Sequence, residues 1–166
     1  LDPVTGEPVQ ISDGDDAADY VIGDYGEALF DTRTGESVIL AIITIAPEAG
    51  GDDFIFVDEG DDVVLGGSGN DVIHAGVGDF TDVVIGDNGR AYFDTTTVPG
   101  TALVSLIISE PTGFGGVDEI IVGDGEDFVI AGDLGDRVNY VLDPVTGEPV
   151  QISDGDDAAD YVIGDY

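Results

Sequence analysis

The sequence has no cysteine, methionine or tryptophan, and its three basic residues, Arg33, Arg90 and Arg137, stand against 37 acids for a formal net charge of −34. Without cysteine there is no disulfide framework and no thiolate metal site, so stability has to come from elsewhere. The shortage of positive charge excludes a phosphate-binding surface and, with it, a nucleic-acid partner. His74 is the single histidine, so no Ser–His–Asp set forms beyond chance, and nothing singles out a carboxylate pair for glycoside hydrolysis. The chain reads as a non-enzyme. Its longest apolar run, Val38–Ala46 (VILAIITIA), is about half of what a membrane crossing requires and reads as a buried strand. No stretch of useful length shows a helical period.

Acidity this strong accompanies disorder only where hydrophobicity is low. Here 42% of the residues are hydrophobic, with Val, Ile and Phe prominent. Such a chain has the apolar material for a core and is held back by its own charge, so a cationic partner is needed to resolve the conflict. The 26 glycines are spaced rather than clustered, which argues against a flexible linker.

Repetition dominates what is present. Leu1–Tyr25 and Leu142–Tyr166 both read LDPVTGEPVQISDGDDAADYVIGDY, so the spacing from Leu1 to Leu142 defines a period of 141 residues. The expected organisation is one full period over 1–141, and the start of the next identical repeat at 142–166. Within the period, Asp19–Thr32 (DYVIGDYGEALFDT) returns as Asp82–Thr95 (DVVIGDNGRAYFDT), and Gly50–Gly67 returns as Gly115–Gly132. These define half-repeats at approximately 19–81 and 82–141. Each half holds a glycine–aspartate ladder and a hairpin-like excursion rich in β-branched residues, turning around Thr–Gly or Pro–Gly. Tyr140–Ile152 adds a short exposed loop or edge hairpin.

The ladder resolves into nines. Gly66–His74 (GGSGNDVIH) fully matches G-G-x-G-x-D-x-U-x, where U is a large apolar residue. Val57–Leu65 keeps Gly60 and Asp62, and Glu48–Phe56 keeps Gly51 and Asp53. Ala75–Ile85 is two residues longer and sets Asp82 before its strand. In the second half, Gly113–Ile121 supplies Gly116 and Asp118, Val122–Ile130 supplies Gly125 and Asp127, and Ala131–Asn139 supplies Asp136. Ser153–Ile163 is another long rung, with Asp160 in the place of Asp82 and Asp19 as its earlier equivalent. A short strand puts an apolar side chain inward, and the turn needs glycine where φ is positive. So tight a turn points carbonyl oxygens at one spot, and the sixth-position aspartate adds a carboxylate. Oxygen donors without nitrogen or sulfur suit a hard cation, and a roomy irregular cage favours calcium over magnesium. Two nonapeptides make one coil, so Asp53 and Asp71 are expected on one side, and Asp62 and Asp82 on the other.

These rungs resemble the haemolysin-type (RTX) calcium-binding nonapeptide repeats, which form parallel β-rolls. The resemblance implies bound Ca2+, held between successive turns by turn carbonyls and by Asp53, Asp62, Asp71, Asp82, Asp118, Asp127, Asp136, Asp160 and Asp19. It covers roughly half of the period, and the excursions lie outside it. Leu134 stands where glycine is expected, which should weaken the site at Asp136. Gly23–Asp31 and Gly86–Asp94 carry Ala28 and Ala91 at the sixth position, so the calcium row should stop there. Asp24 and Asp87 read as turn residues rather than ligands, and His74 as a surface residue.

The fold expected is all-β: a calcium-binding parallel β-roll or β-solenoid with inserted hairpins, in tandem repeat. Counting the alanine-bearing rungs, each half supplies about five, and a period should advance roughly 25–50 Å along the axis. The partners expected are calcium ions and neighbouring repeats of the same protein, with no transmembrane segment in this sequence. An exact duplication suits a fibre, stalk or coat more than an enzyme. The function read is therefore a calcium-stabilised structural repeat of a secreted or cell-surface fibre, adhesin stalk or surface-layer protein, where millimolar extracellular calcium fills modest-affinity sites. Two alternatives stay open: a secretion and folding module for an enzyme or toxin encoded outside this stretch, and a hairpin surface for ice or glycans.

Overall fold

The computed structural model describes residues 17–33, 35, 37–76, 80–98, 100–143, 145–146, 148–151 and 161–164. Strand β1 (Tyr20–Ile22) leads into a hairpin of β2 (Gly26–Asp31) and β3 (Val38–Thr44). After a single 3-10 turn at Pro47–Ala49 come β4 (Phe54–Val57), β5 (Val63–Leu65), β6 (Val72–Ala75) and β7 (Val83–Ile85). A second hairpin, β8 (Gly89–Asp94) and β9 (Leu103–Ser109), precedes β10 (Glu119–Val122), β11 (Phe128–Ile130) and β12 (Arg137–Val138). Then follow β13 (Tyr140–Leu142), β14 (Pro149–Gln151) and β15 (Tyr161–Ile163). The protein is all-β, and among the described residues no helix is long and apolar enough to cross a membrane.

Two sheets are parallel. The first has the order β1-β5-β7-β11-β15 and the second β12-β10-β6-β4, and the chain alternates between them from β4 to β7 and again from β10 to β12. The third sheet, β2-β3-β8-β9, is antiparallel and joins the two excursion hairpins through the β3–β8 pair, Ala41↔Tyr92 to Ile43↔Arg90. β13 and β14 pair as a separate antiparallel hairpin, one of the two forms expected for this segment.

Sequence explains the layering. β5 and β7 read VVL and VVI and are buried at every position, the uninterrupted pattern of a sheet covered on both faces. Val64, Val84 and Val129 pack against Ile55, Ile73 and Ile120 of the second parallel sheet. Val63, Leu65, Val83 and Ile85 point the other way, onto Ile39, Ile42, Ala91 and Phe93 of the hairpins. The second parallel sheet alternates instead (FIFV, VIHA, EIIV), with one face inward and one outward.

Two expectations change. Gly23–Asp31 and Gly86–Asp94 are not further rungs, because they leave the ladder to form β2 and β8, where Ala28 and Ala91 are strand residues. From β1 to its sequence twin β15 there are therefore four strand spacings, about 19 Å, below the range read from the sequence. The VILAIITIA strand is covered within this chain, by the first parallel sheet below and β8 beside it.

Candidate metal centre

The turns between the parallel strands depend on glycine at the fourth position. Gly60, Gly69 and Gly125 hold φ at +147°, +115° and +130°, where L side chains are strained. Leu134 takes the same role at φ 79°, so the rung closes at some cost in backbone strain.

Each turn delivers its aspartate to the residue just before a strand, and these residues form two rows. In one, the Asp53 amide donates to Asp71 Oδ1 (2.8 Å), the Asp71 amide to Asp118 Oδ1 (2.8 Å), and the Asp118 amide to Asp136 Oδ1 (2.8 Å). In the other, the Asp19 amide donates to Asp62 Oδ1 (2.7 Å), the Asp62 amide to Asp82 Oδ1 (3.0 Å), and the Asp82 amide to Asp127 Oδ1 (2.9 Å). The structure thus gathers eight of the nine nominated aspartates into the two rows that the spacing implied, and Asp160 lies outside the described residues.

One oxygen of each pairing is accounted for; the second is the question. Oδ2 of Asp53, Asp62, Asp71 and Asp118 is buried without a hydrogen-bond partner among the described residues. Burial pushes the Asp118 and Asp82 carboxyls up to about 8, Asp71 to about 7 and Asp62 to about 6, with neighbouring aspartates adding to the rise and the accepted amide opposing it. Asp53 is raised by the same burial, with Asp24 and Asp52 contributing. Buried carboxylates in file, four of them with an unmet oxygen, need positive charge to stay ionised at neutral pH.

Backbone oxygens face the same spaces. A Cβ on Gly66 would collide with both the Gly86 carbonyl and Asp71 Oδ2. On Gly23 it would meet the Gly66 carbonyl and Asp53 Oδ2, and on Gly86 the Ala131 carbonyl and Asp118 Oδ2. Three times, then, an unpartnered carboxylate oxygen and a carbonyl oxygen from the adjacent turn approach one glycine. Among the described residues no three acidic, histidine or cysteine side chains converge on a point, so a cation here would draw largely on the backbone. That donor set fits calcium.

Asp24 and Asp87 do other work. Asp24 accepts from the Gly51 amide (3.1 Å) and the Ser68 amide (2.6 Å), and Asp87 from the Gly116 amide (2.9 Å) and the Asp133 amide (2.5 Å). Each ties two turns together at matching places in the two halves, the turn role favoured from sequence. An outer row lies beyond the nonapeptide pattern: Asp52 Oδ1 accepts from the Asn70 amide (2.8 Å), Asn70 Oδ1 from the Val117 amide (2.9 Å), and Asp61 Oδ1 from the Thr81 amide (3.0 Å). Its signal was the Asp or Asn at the fifth position of three rungs. His74, expected at the surface, is half-buried with its ring 4.6 Å from that of Phe56, and burial lowers its pKa.

Among known families, the stretch containing Asp53, Asp62 and Asp71 has a counterpart. Residues 49–79 match the RTX calcium-binding nonapeptide repeat (4 copies). RTX nonapeptide repeats bind Ca2+. Each of these three aspartates carries one of the unmet oxygens described above, while the fourth, Asp118, lies outside the matched stretch. No curated protein and no solved structure matches the chain.

Proposed function

We propose that this chain is a calcium-stabilised structural repeat, in which the two parallel sheets are the walls of a β-roll, or β-solenoid, and Ca2+ sits between its successive turns. The file of buried carboxylate oxygens without partners carries this reading, together with the RTX match over 49–79. Asp53, Asp71 and Asp118 would hold the ion with the carbonyls of Gly66, Gly86 and Ala131, and Asp62, Asp82 and Asp127 would serve the opposite row; Asp19, Asp136 and Asp160 are nominated by position. The cation supplies charge compensation. The chain's own residues supply the closed turns, the amide-to-Oδ1 ladder and the apolar core. No catalysis is assigned to it.

The identical copies at Leu1–Tyr25 and Leu142–Tyr166 favour a tandem array over 1–141 and onward, in which neighbouring repeats are each other's partners. Such an array suits a secreted or cell-surface fibre, adhesin stalk or surface layer, where calcium is abundant. The test is circular dichroism of the calcium-stripped chain at low ionic strength. Millimolar calcium is expected to produce a cooperative gain of β signal that chelation reverses. Equal folding in excess chelator, after equilibration, would defeat the proposal.

A further inference from the structure

Among the described residues the antiparallel sheet ends on two open edges, β2 and β9, and the two halves of the chain show what each lacks. β2 and β8 occupy equivalent positions, as do β3 and β9, because both hairpins pair in one register with a break at the same point: Leu29/Phe30 in one and Tyr92/Phe93 in the other. In β8, which has a strand on either side, Ala91 is 0% and Phe93 9% exposed; in β2, Phe30 is 45% exposed. In β3, Ala41 is 4% exposed, whereas its counterpart Leu106 in β9 is 50% exposed.

Beside β9 lies an apolar groove of about 340 Å³, lined by Val104, Leu106 and Ile107 of β9, Phe128 and Ile130 of β11, and Ile163 of β15. Its counterpart in the first half, between β3, β5 and β7, is filled by Ala91 and Phe93 of β8. The β2 residues equivalent to these are Ala28 and Phe30. Tyr20 already receives the Phe30 ring edge-on, centroids 6.4 Å apart at 89°, and Tyr161, the same residue in the second copy of that sequence, stands at the groove. One polar group marks the position too. Thr44 Oγ1 accepts from the Gly89 amide (2.9 Å) across the β3–β8 pair, while Ser109, its counterpart in β9, has a buried Oγ with no partner.

We propose that β9 and this groove are the docking site for β2 of the next copy of the repeat along the same chain. The inference rests on the tandem-array reading above and adds its interface. β15, identical in sequence to β1, already lies beside β11 in the register Phe128↔Tyr161 to Ile130↔Ile163. β1 is followed by only three residues before β2, as β7 is before β8. A strand arriving after β15 by that short link reaches β9 as β8 reaches β3. Transferring the β3–β8 register sets Leu106 opposite Leu29, Ile107 opposite Ala28 and Ile108 opposite Glu27 of the next copy. Phe30 then enters the groove, and Ser109 Oγ accepts from the Gly26 amide. The antiparallel sheet continues from repeat to repeat.

The experiment uses a two-repeat chain in which residues 26–166 are appended after Tyr166. The protein has no cysteine, so Leu106→Cys introduces a unique thiol in either copy. In calcium, the thiol in the first copy should react with a maleimide at least about tenfold more slowly than the thiol in the second copy, where β9 is still an edge. Pairing Leu106→Cys of the first copy with Leu29→Cys of the second should give a disulfide on mild oxidation, within the reach of directly opposed strand residues. Equal reactivity in the two copies of a chain that folds with calcium would overturn the docking alone. Failure of the unsubstituted chain to respond to calcium would count instead against the calcium-stabilised repeat. The same substitution is made in each copy in turn, so a general loss of stability cannot mimic the difference.

Discussion

Aspartates in the ladder and aspartates in the hairpins meet opposite fates. In the ladder, burial pushes Asp71 to about 7 and Asp118 to about 8, and each keeps an oxygen that nothing among the described residues satisfies. At the hairpin tips, Asp31 is held at about 2 by the Arg33 side chain, and Asp94 at about 2 by the Thr96 and Thr97 hydroxyls. The hairpin acids are satisfied by donors two or three residues away and need no ion. The ladder acids have spent one oxygen on the neighbouring turn and look outside the protein for the rest. Ladder and hairpin-tip aspartates are thus two populations, and of these only the first calls for calcium.

That contrast can be broken most forcefully at Asp71. Asp71→Ala should raise the calcium concentration at the folding midpoint about tenfold or more, since it removes a proposed carboxylate ligand and the acceptor of the Asp53 amide. A calcium titration followed by circular dichroism reads this directly, and an unchanged midpoint would remove Asp71 from the site. Next comes the apolar side of the molecule. Ile85→Ala, in the layer between the first parallel sheet and the hairpins, should cost about 2–5 kcal/mol in denaturant unfolding at saturating calcium, while leaving the ions bound at the native baseline. A loss well under that range would mean the hairpins are not packed on this sheet.

A gentler probe is pH. The ladder carboxyls titrate above their ordinary value of 3.8 in the folded chain, so without calcium they favour the fold when protonated. That contribution is complete below about pH 4 and is lost as pH rises through about 6 to 8. Calcium-stripped protein should therefore gain β signal on going from about pH 8 to about pH 5, whereas calcium-loaded protein should lose affinity over the same interval as protons displace the ion. A calcium-free signal flat across the interval would contradict the buried row. The smallest effect is expected at Asp31→Ala, which should leave the calcium midpoint within error; a shift matching that of Asp71→Ala would erase the distinction between the two populations.

Much of the ladder was legible because a period of nine fixes which residues precede each strand, and Asp53, Asp71 and Asp118 fell into one row for that reason alone. The hairpins were legible as hairpins. Their union was not, because the β3–β8 pair joins Ala41 to Tyr92 across roughly fifty residues, with no local signal in either strand. A clue to the third layer was nonetheless present. VVL and VVI have no outward polar position, unlike VIHA or EIIV, which says that those strands are covered on both faces. Leu134 shows the opposite limit: glycine was expected on steric grounds, and the turn forms with leucine at φ 79° because the strands on either side are already pinned.

The four strand spacings between β1 and β15 have a mechanical meaning. About 19 Å of sheet accommodates a repeat whose fully extended backbone would span roughly 480 Å. Pulled from its ends, one repeat losing its turns would lengthen about twenty-five-fold. Because the turns close around carboxylates that need an ion, the tension at which that slack is released should be set by ambient calcium, which would make each repeat a shock absorber of adjustable stiffness.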